Sequence, residues 1–250
     1  MNFKILTGKG NIKASSYEED DRVPSIIMSP QGGNHYTVNI TQDFGDGHTF
    51  DGVIALLANA NENDDITFNI NSRGGHLFSL IALKNAISTT RAQFHMVLLG
   101  QACSAGGALF LTEGAASYSI GEHTMLMIHP VQCGTGYGAA GESQIRAEAN
   151  SEINDRFVRS CYKDFLTEDE INDVIRNNRE IYLFDEEVSK RLEKRIELRN
   201  SHTLQQLEQI QNEGLEVNFD DLSDDDLKAE RSVITAELQR RAKLAKKANG

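Results

Sequence analysis

The chain has 250 residues, of which 39% are hydrophobic, so it is long enough for one sizeable core with an appendage. Its net charge of −12 argues against sequence-independent nucleic-acid binding, which needs clustered lysine and arginine. No run approaches the roughly 20 apolar residues that span a bilayer, and the first residues have too short an apolar run for a secretory signal. We therefore expect a cytoplasmic protein that binds neither nucleic acid nor membrane.

The first half of the chain alternates between strand and helix patterns. Residues 1–35 form an N-terminal segment, and apolar periodicity then predicts strands at YTVNI, DITFNIN and FHMVLLG, with helices at HTFDGVIALLANA and HLFSLIALKNAISTT between them. Such alternation is typical of an α/β fold with parallel strands and crossover helices. Catalytic residues are expected at the strand ends of such a sheet.

The second half continues with a short helix, SAGGALFLTEG, and two apolar runs, AASYSI and TMLMI. A glycine-rich segment leads into a long helical pattern, and a capping signal from Thr167 to Glu170 opens a further helix that ends near Asn178. From about Asn200 the composition becomes strongly charged. We predict one domain over residues 36–199 and a helical extension over 200–250, with one helix from Ser223 to about Lys247.

The cysteines indicate no special chemistry. Cys103, Cys133 and Cys161 are odd in number and lack CxxC spacing, so they predict neither a disulfide framework nor a zinc site. We expect reduced thiols in or near the core, and no metal or cofactor.

Ser104 lies in GQACSAGGALFL, where a strand pattern turns into a helix pattern. Small residues there serve tight packing, or they form a nucleophile elbow, a sharp turn that exposes a serine at the start of a helix. His129 is the best candidate for a base because it ends an apolar strand, although a purely structural histidine has the same pattern. The turn from Asn71 to Gly75 and the N–H of Ala105 are candidate oxyanion donors.

Three segments together resemble the Clp peptidase family, the ClpP-type serine proteases. They are INSRGG (Ile70 to Gly75), GQACSAGG (Gly100 to Gly107) and LMIHP (Leu126 to Pro130), within a resemblance that runs from about Tyr36 to Leu192. The resemblance implies a ClpP/crotonase-like fold of repeated strand-strand-helix units with a protruding long helix, to which the helical tail is added. It also implies that Ser104 is the nucleophile and His129 the base, with Gly75 and Ala105 donating to the oxyanion.

The third triad member departs from the family pattern. The family has an aspartate where this chain has Glu180, and a glutamate is able to orient a histidine in other folds. Asp185 is a nearby alternative. Arg73 stands where proline is common, and Pro130 directly follows His129 where a residue usually intervenes, so we expect an altered substrate preference.

The resemblance further implies assembly and a partner. Related subunits form heptameric rings that stack into a barrel, and here Cys133 to Gly138 and roughly Gly141 to Phe165 would make the contact between rings. Such rings receive unfolded polypeptides from an AAA+ unfoldase. This chain has no Walker motif, so ATP hydrolysis would belong to the partner.

Three alternatives remain open. Crotonase-like hydratases share the expected fold, but they lack a Ser and His pair. A phage head-maturation protease would use a Ser-Lys dyad, for which Lys84 is the conveniently placed lysine, although its helical spacing predicts an outward-facing side chain. The third alternative is a catalytically silent ring subunit, which the Glu180 substitution keeps open.

Overall fold

The computed structural model of the chain describes residues 5–7, 25–30, 33–134 and 140–212. Two compact units divide the chain, residues 1–191 and 192–250. The predicted helix from Ser223 to Lys247 lies outside the described residues, as do residues 135–139 of the glycine-rich segment before the long helix. The predicted domain boundary at residue 199 stays a prediction.

The described residues form eight strands and six helices, in an α/β arrangement. The strands are β1 (Ile5–Thr7), β2 (Ser25–Pro30), β3 (Asn34–Ile40), β4 (Asp65–Ser72), β5 (Gln93–Cys103), β6 (Ser117–Ile120), β7 (Met125–Ile128) and β8 (Ile181–Phe184). The helices are α1 (Asp51–Asn59), α2 (Leu77–Thr89), α3 (Ala105–Phe110), α4 (Ala140–Tyr162), α5 (Glu168–Asn177) and α6 (Asp185–Asn212).

All eight strands lie in one sheet. The order is β1-β2-β3-β4-β5-β7-β8, and β6 pairs with β5 beside this path. The central pairs β3/β4 and β4/β5 are parallel, as the alternation of strands and helices predicts. Side chains alternate along β4, so Ile66, Phe68 and Ile70 are fully buried while their neighbours reach the surface. One face of the sheet therefore forms the core.

Strand β5 has two partners along its length. Its first half pairs with β6, from His95 to Leu98, and its second half pairs with β7, from Gln101 to Cys103. It runs three residues beyond the predicted end at Gly100. Because β8 pairs antiparallel with β7, the end of β5, the end of β7 and the start of β8 meet at one edge of the sheet.

The capping signal before α5 is confirmed. The Thr167 side chain accepts the Glu170 N–H at 3.2 Å, and the Glu170 carboxylate accepts the Thr167 N–H at 2.9 Å. These reciprocal bonds form a capping box that satisfies two N–H groups at the start of the helix. Ile171 and Val174 then bury the apolar face of α5.

Candidate active site

Ser104 occupies the turn between β5 and α3 in a strained backbone conformation. Its φ is 55° and its ψ is −122°, a region that non-glycine residues rarely adopt and that costs of order 1–3 kcal/mol. The Ser104 N–H donates to the Met127 carbonyl at 2.8 Å, and its carbonyl accepts the Ala108 N–H at 3.1 Å. The hydroxyl makes no capping bond with α3. These contacts hold the turn in place and leave the hydroxyl available for chemistry.

Small residues around Ser104 are required by close packing as well as by the turn. A Cβ on Gly74, whose φ is 92°, would lie 2.5 Å from the Cys103 carbonyl oxygen. A Cβ on Gly106 would lie 3.0 Å from the Ser72 carbonyl oxygen. All six residues of α3 are buried. The packing and elbow interpretations of this segment are therefore compatible.

His129 directly follows β7, the strand whose Met127 carbonyl accepts the Ser104 N–H. Its Nδ1 lies 2.6 Å from the Pro130 carbonyl oxygen. Because a carbonyl oxygen only accepts, Nδ1 is the donor in this contact, and Nε2 of the neutral ring keeps its lone pair. Within the described part of the chain, the ring makes no hydrogen bond to Ser104 or Glu180. Catalytic contacts of this kind are often long before substrate binds.

Glu180 directly precedes β8 and His129 directly follows β7, so both lie at the same end of the sheet. The antiparallel register pairs Ile128 with Ile181, the last pair before these two residues. Cross-strand neighbours on one face have Cβ atoms about 5 Å apart. The Glu180 carboxylate itself is exposed and accepts the Tyr182 hydroxyl at 2.7 Å. The predicted acid and the predicted base thus lie at the same end of the sheet, and among the described residues no hydrogen bond links them.

Asp185 lies at the opposite end of β8. Its carboxylate accepts the His123 N–H at 2.8 Å, and its own N–H donates to the Thr124 carbonyl at 3.2 Å. The four residues of β8 lie between Asp185 and Glu180, so five steps of about 3.3 Å, or about 17 Å, separate their Cα atoms. Asp185 therefore orients the loop before β7 rather than the His129 ring.

The two predicted oxyanion donors flank the Ser104 turn. Phe44 pairs with the Gly74 carbonyl and the His76 N–H, which leaves the Gly75 N–H facing away from that pairing. Gly75 is exposed and has a φ of 139°. The Ala105 N–H is the first of α3 and has no acceptor within the helix. Both N–H groups belong to turns that adjoin the serine.

A cleft of about 460 Å³ lies beside this turn rather than at Ser104 itself. It occupies the ends of β3, β4 and β5, and Arg73 and Asp43 form an ion pair across it, with Arg73 Nε donating to Asp43 Oδ1 at 3.1 Å. The lining residues are Thr41, Asp43, Phe44, Gly45, Asn71, Ser72, Arg73 and Gln101. Arg73, which stands where the family pattern has proline, thus lines the cleft with a charged side chain next to the Gly74–Gly75 turn.

The outward orientation predicted for Lys84 is wrong. Its ammonium group donates to the Ala108 carbonyl at 2.9 Å and to the Thr112 hydroxyl at 3.3 Å. A cation at the Ala108 carbonyl complements the negative end of the α3 dipole. Lys84 therefore reaches the end of α3 opposite Ser104, which removes the geometric basis for a Ser-Lys dyad.

A second serine, histidine and aspartate meet on the exposed face of the sheet. His95 Nδ1 lies 2.7 Å from the Ser117 hydroxyl, and His95 Nε2 lies 3.5 Å from the Asp65 carboxylate. Ser117 is the first residue of β6 and does not lie at a strand-to-helix turn, so it lacks the adjacent helix N-terminus that supplies an oxyanion donor. We interpret this cluster as a surface hydrogen-bond network.

Sequence reasoning missed Tyr182, the hydrogen-bond partner of Glu180. The available signal was spacing, because residues two apart on a strand share a face.

Among the described residues, no group of three or more His, Cys, Asp or Glu side chains is placed to hold a metal ion. None of the helices described is both long and apolar enough to cross a membrane.

Comparison with known proteins gives a consistent result. Residues 37–190, well over half of the chain, match the family model described as Clp protease. The chain is similar to ATP-dependent Clp protease proteolytic subunit 1 of Tropheryma whipplei (strain Twist) and to ATP-dependent Clp protease proteolytic subunit 2 of Tropheryma whipplei (strain TW08/27). Each is 34% identical over 96 residues, which cover 38% of this chain and 46% of the relative. The match thus spans about half the length of these curated relatives.

Proposed function

The chain belongs to the Clp protease family, and from that premise we propose that it is a serine endopeptidase acting on unfolded polypeptides. The observation that carries the proposal is the backbone of Ser104. A serine at positive φ, with an uncommitted hydroxyl at a strand-to-helix turn, has the geometry that an activated nucleophile requires. Strain of this kind persists where function uses it.

In the proposed reaction, the Ser104 hydroxyl attacks the carbonyl carbon of the scissile peptide bond. His129 accepts the hydroxyl proton at Nε2, the nitrogen that the Pro130 contact leaves unprotonated. The negative charge that develops on the carbonyl oxygen is stabilised by the N–H groups of Gly75 and Ala105. Fixed N–H donors need no reorganisation as this charge forms, so they lower the barrier more than water does.

The tetrahedral intermediate then collapses to an acyl-enzyme. His129 returns its proton to the leaving amine, and a water molecule attacks the ester with the same histidine as base. Glu180 accepts from Nδ1 and stabilises the imidazolium form of the ring. Its longer side chain replaces the family's aspartate at the start of β8.

We further propose a homo-oligomeric ring, with heptameric symmetry, that encloses the sites in the cytoplasm. An AAA+ unfoldase would deliver substrates to it. Enclosure is physically reasonable because an open peptidase would cut exposed loops of folded proteins. The family assignment supports this proposal.

The test is covalent labelling with a fluorophosphonate, read by intact mass and peptide mapping, together with cleavage of a fluorogenic peptide. We expect one adduct, on Ser104, and loss of both labelling and turnover in Ser104→Ala. Ser117→Ala is the matched control, because Ser117 is also exposed and hydrogen-bonded to a histidine. Persistent labelling of Ser104→Ala would exclude Ser104 as the nucleophile.

A second candidate function is a catalytically silent ring subunit. The observation that favours it is the open arrangement of the triad, in which Glu180 bonds to Tyr182 and His129 bonds to Pro130. An assembled wild-type ring that takes up no fluorophosphonate would support this candidate over the peptidase.

A further inference from the structure

The hydrogen bond from Tyr182 to Glu180 has no role in the triad mechanism proposed above. Both side chains lie on one face of the sheet, because Glu180 directly precedes β8 and Tyr182 is the second residue of that strand. Tyr182 is fixed along its backbone by pairing with Met127 of β7. Its hydroxyl donates to Glu180 Oε2 at 2.7 Å, so one oxygen of the carboxylate is held by the phenol.

A glutamate at this position needs such support more than an aspartate would. The Glu180 side chain is exposed and has one more rotatable bond, so a single productive orientation costs more conformational entropy. A tyrosine has few rotatable bonds and a long reach, and it gives up little freedom when it fixes a neighbour. The Tyr182 bond thus compensates for the extra methylene of Glu180.

A carboxylate has two oxygens, and the phenol occupies only one. Oε2 accepts from Tyr182, which leaves Oε1 able to accept a second hydrogen bond. His129 directly follows β7 and Glu180 directly precedes β8, one residue beyond the Ile128 and Ile181 pair, and the Nδ1–H of His129 is bonded to the adjacent Pro130 carbonyl. To donate to Glu180, Nδ1 must exchange the Pro130 carbonyl for the carboxylate.

We propose that Tyr182 is a positioning residue that holds the Glu180 carboxylate in place to receive the Nδ1–H of His129. This inference rests on the proposed function. Tyr182 acts only through Glu180 and keeps its proton throughout, while the proton from Ser104 moves to His129 Nε2. The Glu180 carboxylate raises the pKa of the Tyr182 phenol through their hydrogen bond, and a phenol is already a donor at neutral pH.

The first test compares Tyr182→Phe with the wild type in peptide cleavage. Removal of the hydroxyl should lower kcat about 3- to 10-fold with KM unchanged, because the carboxylate loses its orientation while the substrate contacts stay. Labelling of Ser104 by the fluorophosphonate should slow by a similar factor. Tyr118→Phe is the matched control, since the Tyr118 hydroxyl bonds to the Thr112 carbonyl away from the site, and it should keep the wild-type kcat.

A double-mutant cycle then separates positioning from a structural role. Glu180→Gln should lower kcat more than Tyr182→Phe, and the double variant should be no slower than Glu180→Gln alone, because no charged carboxylate remains to position. Full kcat in Tyr182→Phe, or losses that multiply in the double variant, would overturn the inference while the proposed function stands. A wild-type protein that neither labels nor cleaves overturns the proposed function and this inference with it.

Discussion

At the scale of single residues, Ser104 combines strain with exposed chemistry. The same φ of 55° that presents the hydroxyl is one that a Cβ atom disfavours and glycine tolerates. Its neighbours determine this conformation, because the Met127 carbonyl and the Ala108 N–H hold the turn from both sides. Stability and reactivity are therefore opposed at this position.

Replacement of Ser104 by glycine should stabilise the protein relative to replacement by alanine, by about 1 kcal/mol. Both changes remove the hydroxyl, but only glycine relieves the backbone strain. The measurement is the urea midpoint of each variant at one protein concentration.

The matched comparison uses Ser117, which lies in a regular strand. There glycine should be less stable than alanine by about 0.5–1 kcal/mol. If the two positions respond in the same direction, Ser104 carries no appreciable strain.

The positions of Ser104 and His129 in the fold could be predicted from the sequence, since a serine at a strand-to-helix turn and a histidine at a strand end are local patterns, and their roles stay predictions. The partners of Lys84 could not be predicted. The two-residue spacing of Tyr182 and Glu180 is a local signal for their hydrogen bond, whereas the direction of Lys84 depends on where α3 ends in space. Such contacts depend on tertiary packing, which periodicity does not encode.

At the scale of elements, an ion pair joins α5 to α6. Glu170 bonds to Arg191 through two hydrogen bonds of 2.8 and 2.9 Å, and both side chains are about one-fifth exposed. The hydrogen bonds from Arg191 lower the pKa of Glu170 to about 2 against the opposing effect of burial. In the capping box, the Thr167 N–H also donates to this Glu170 carboxylate.

This pair predicts a pH dependence of stability. Because the pKa of Glu170 is lower in the folded protein than its ordinary value of 4.5, its contribution is fully present above pH 4.5 and is lost as the pH falls towards 2. The contribution is on the order of 3 kcal/mol, since one pKa unit corresponds to about 1.4 kcal/mol. Unfolding of the wild type and Glu170→Gln should be compared between pH 5 and pH 3, where the variant should show a shallower decline. Equal slopes would contradict the assignment.

The elements themselves were largely predictable, and their pairings were less so. Thr167 and Glu170 indicate a helix start in sequence because capping is local. The division of β5 between β6 and β7 is not local, because it depends on two later strands that pair with different halves of one long strand. The extension of β5 from Gly100 to Cys103 follows from its pairing with β7.

At the scale of the whole molecule, the proposed chemistry is confined to one part of the chain. The cleft and the proposed catalytic residues lie between Thr41 and Tyr182, within the family match of residues 37–190. A chain truncated after Asn212 keeps all of α6. It should retain peptide turnover within about twofold and the same oligomer on native mass spectrometry.

Truncation after Asn178 is the contrasting variant. It removes Glu180 and all of β8, including Tyr182. Strand β7 then has no partner on that side, so this chain should fail to fold. Loss of the oligomer in the chain that ends at Asn212 would instead make residues 213–250 an assembly element.

The strain at Ser104 also bears on how this chain changes over generations. Most mutations lower stability, so the relief of backbone strain that we expect from glycine at position 104 would be a rare favourable substitution in any lineage that no longer needs the hydroxyl. Relaxed selection would then replace the proposed nucleophile early and leave the fold intact. On this expectation, a subunit that has lost its activity is recognised by glycine at this position in an otherwise unchanged fold.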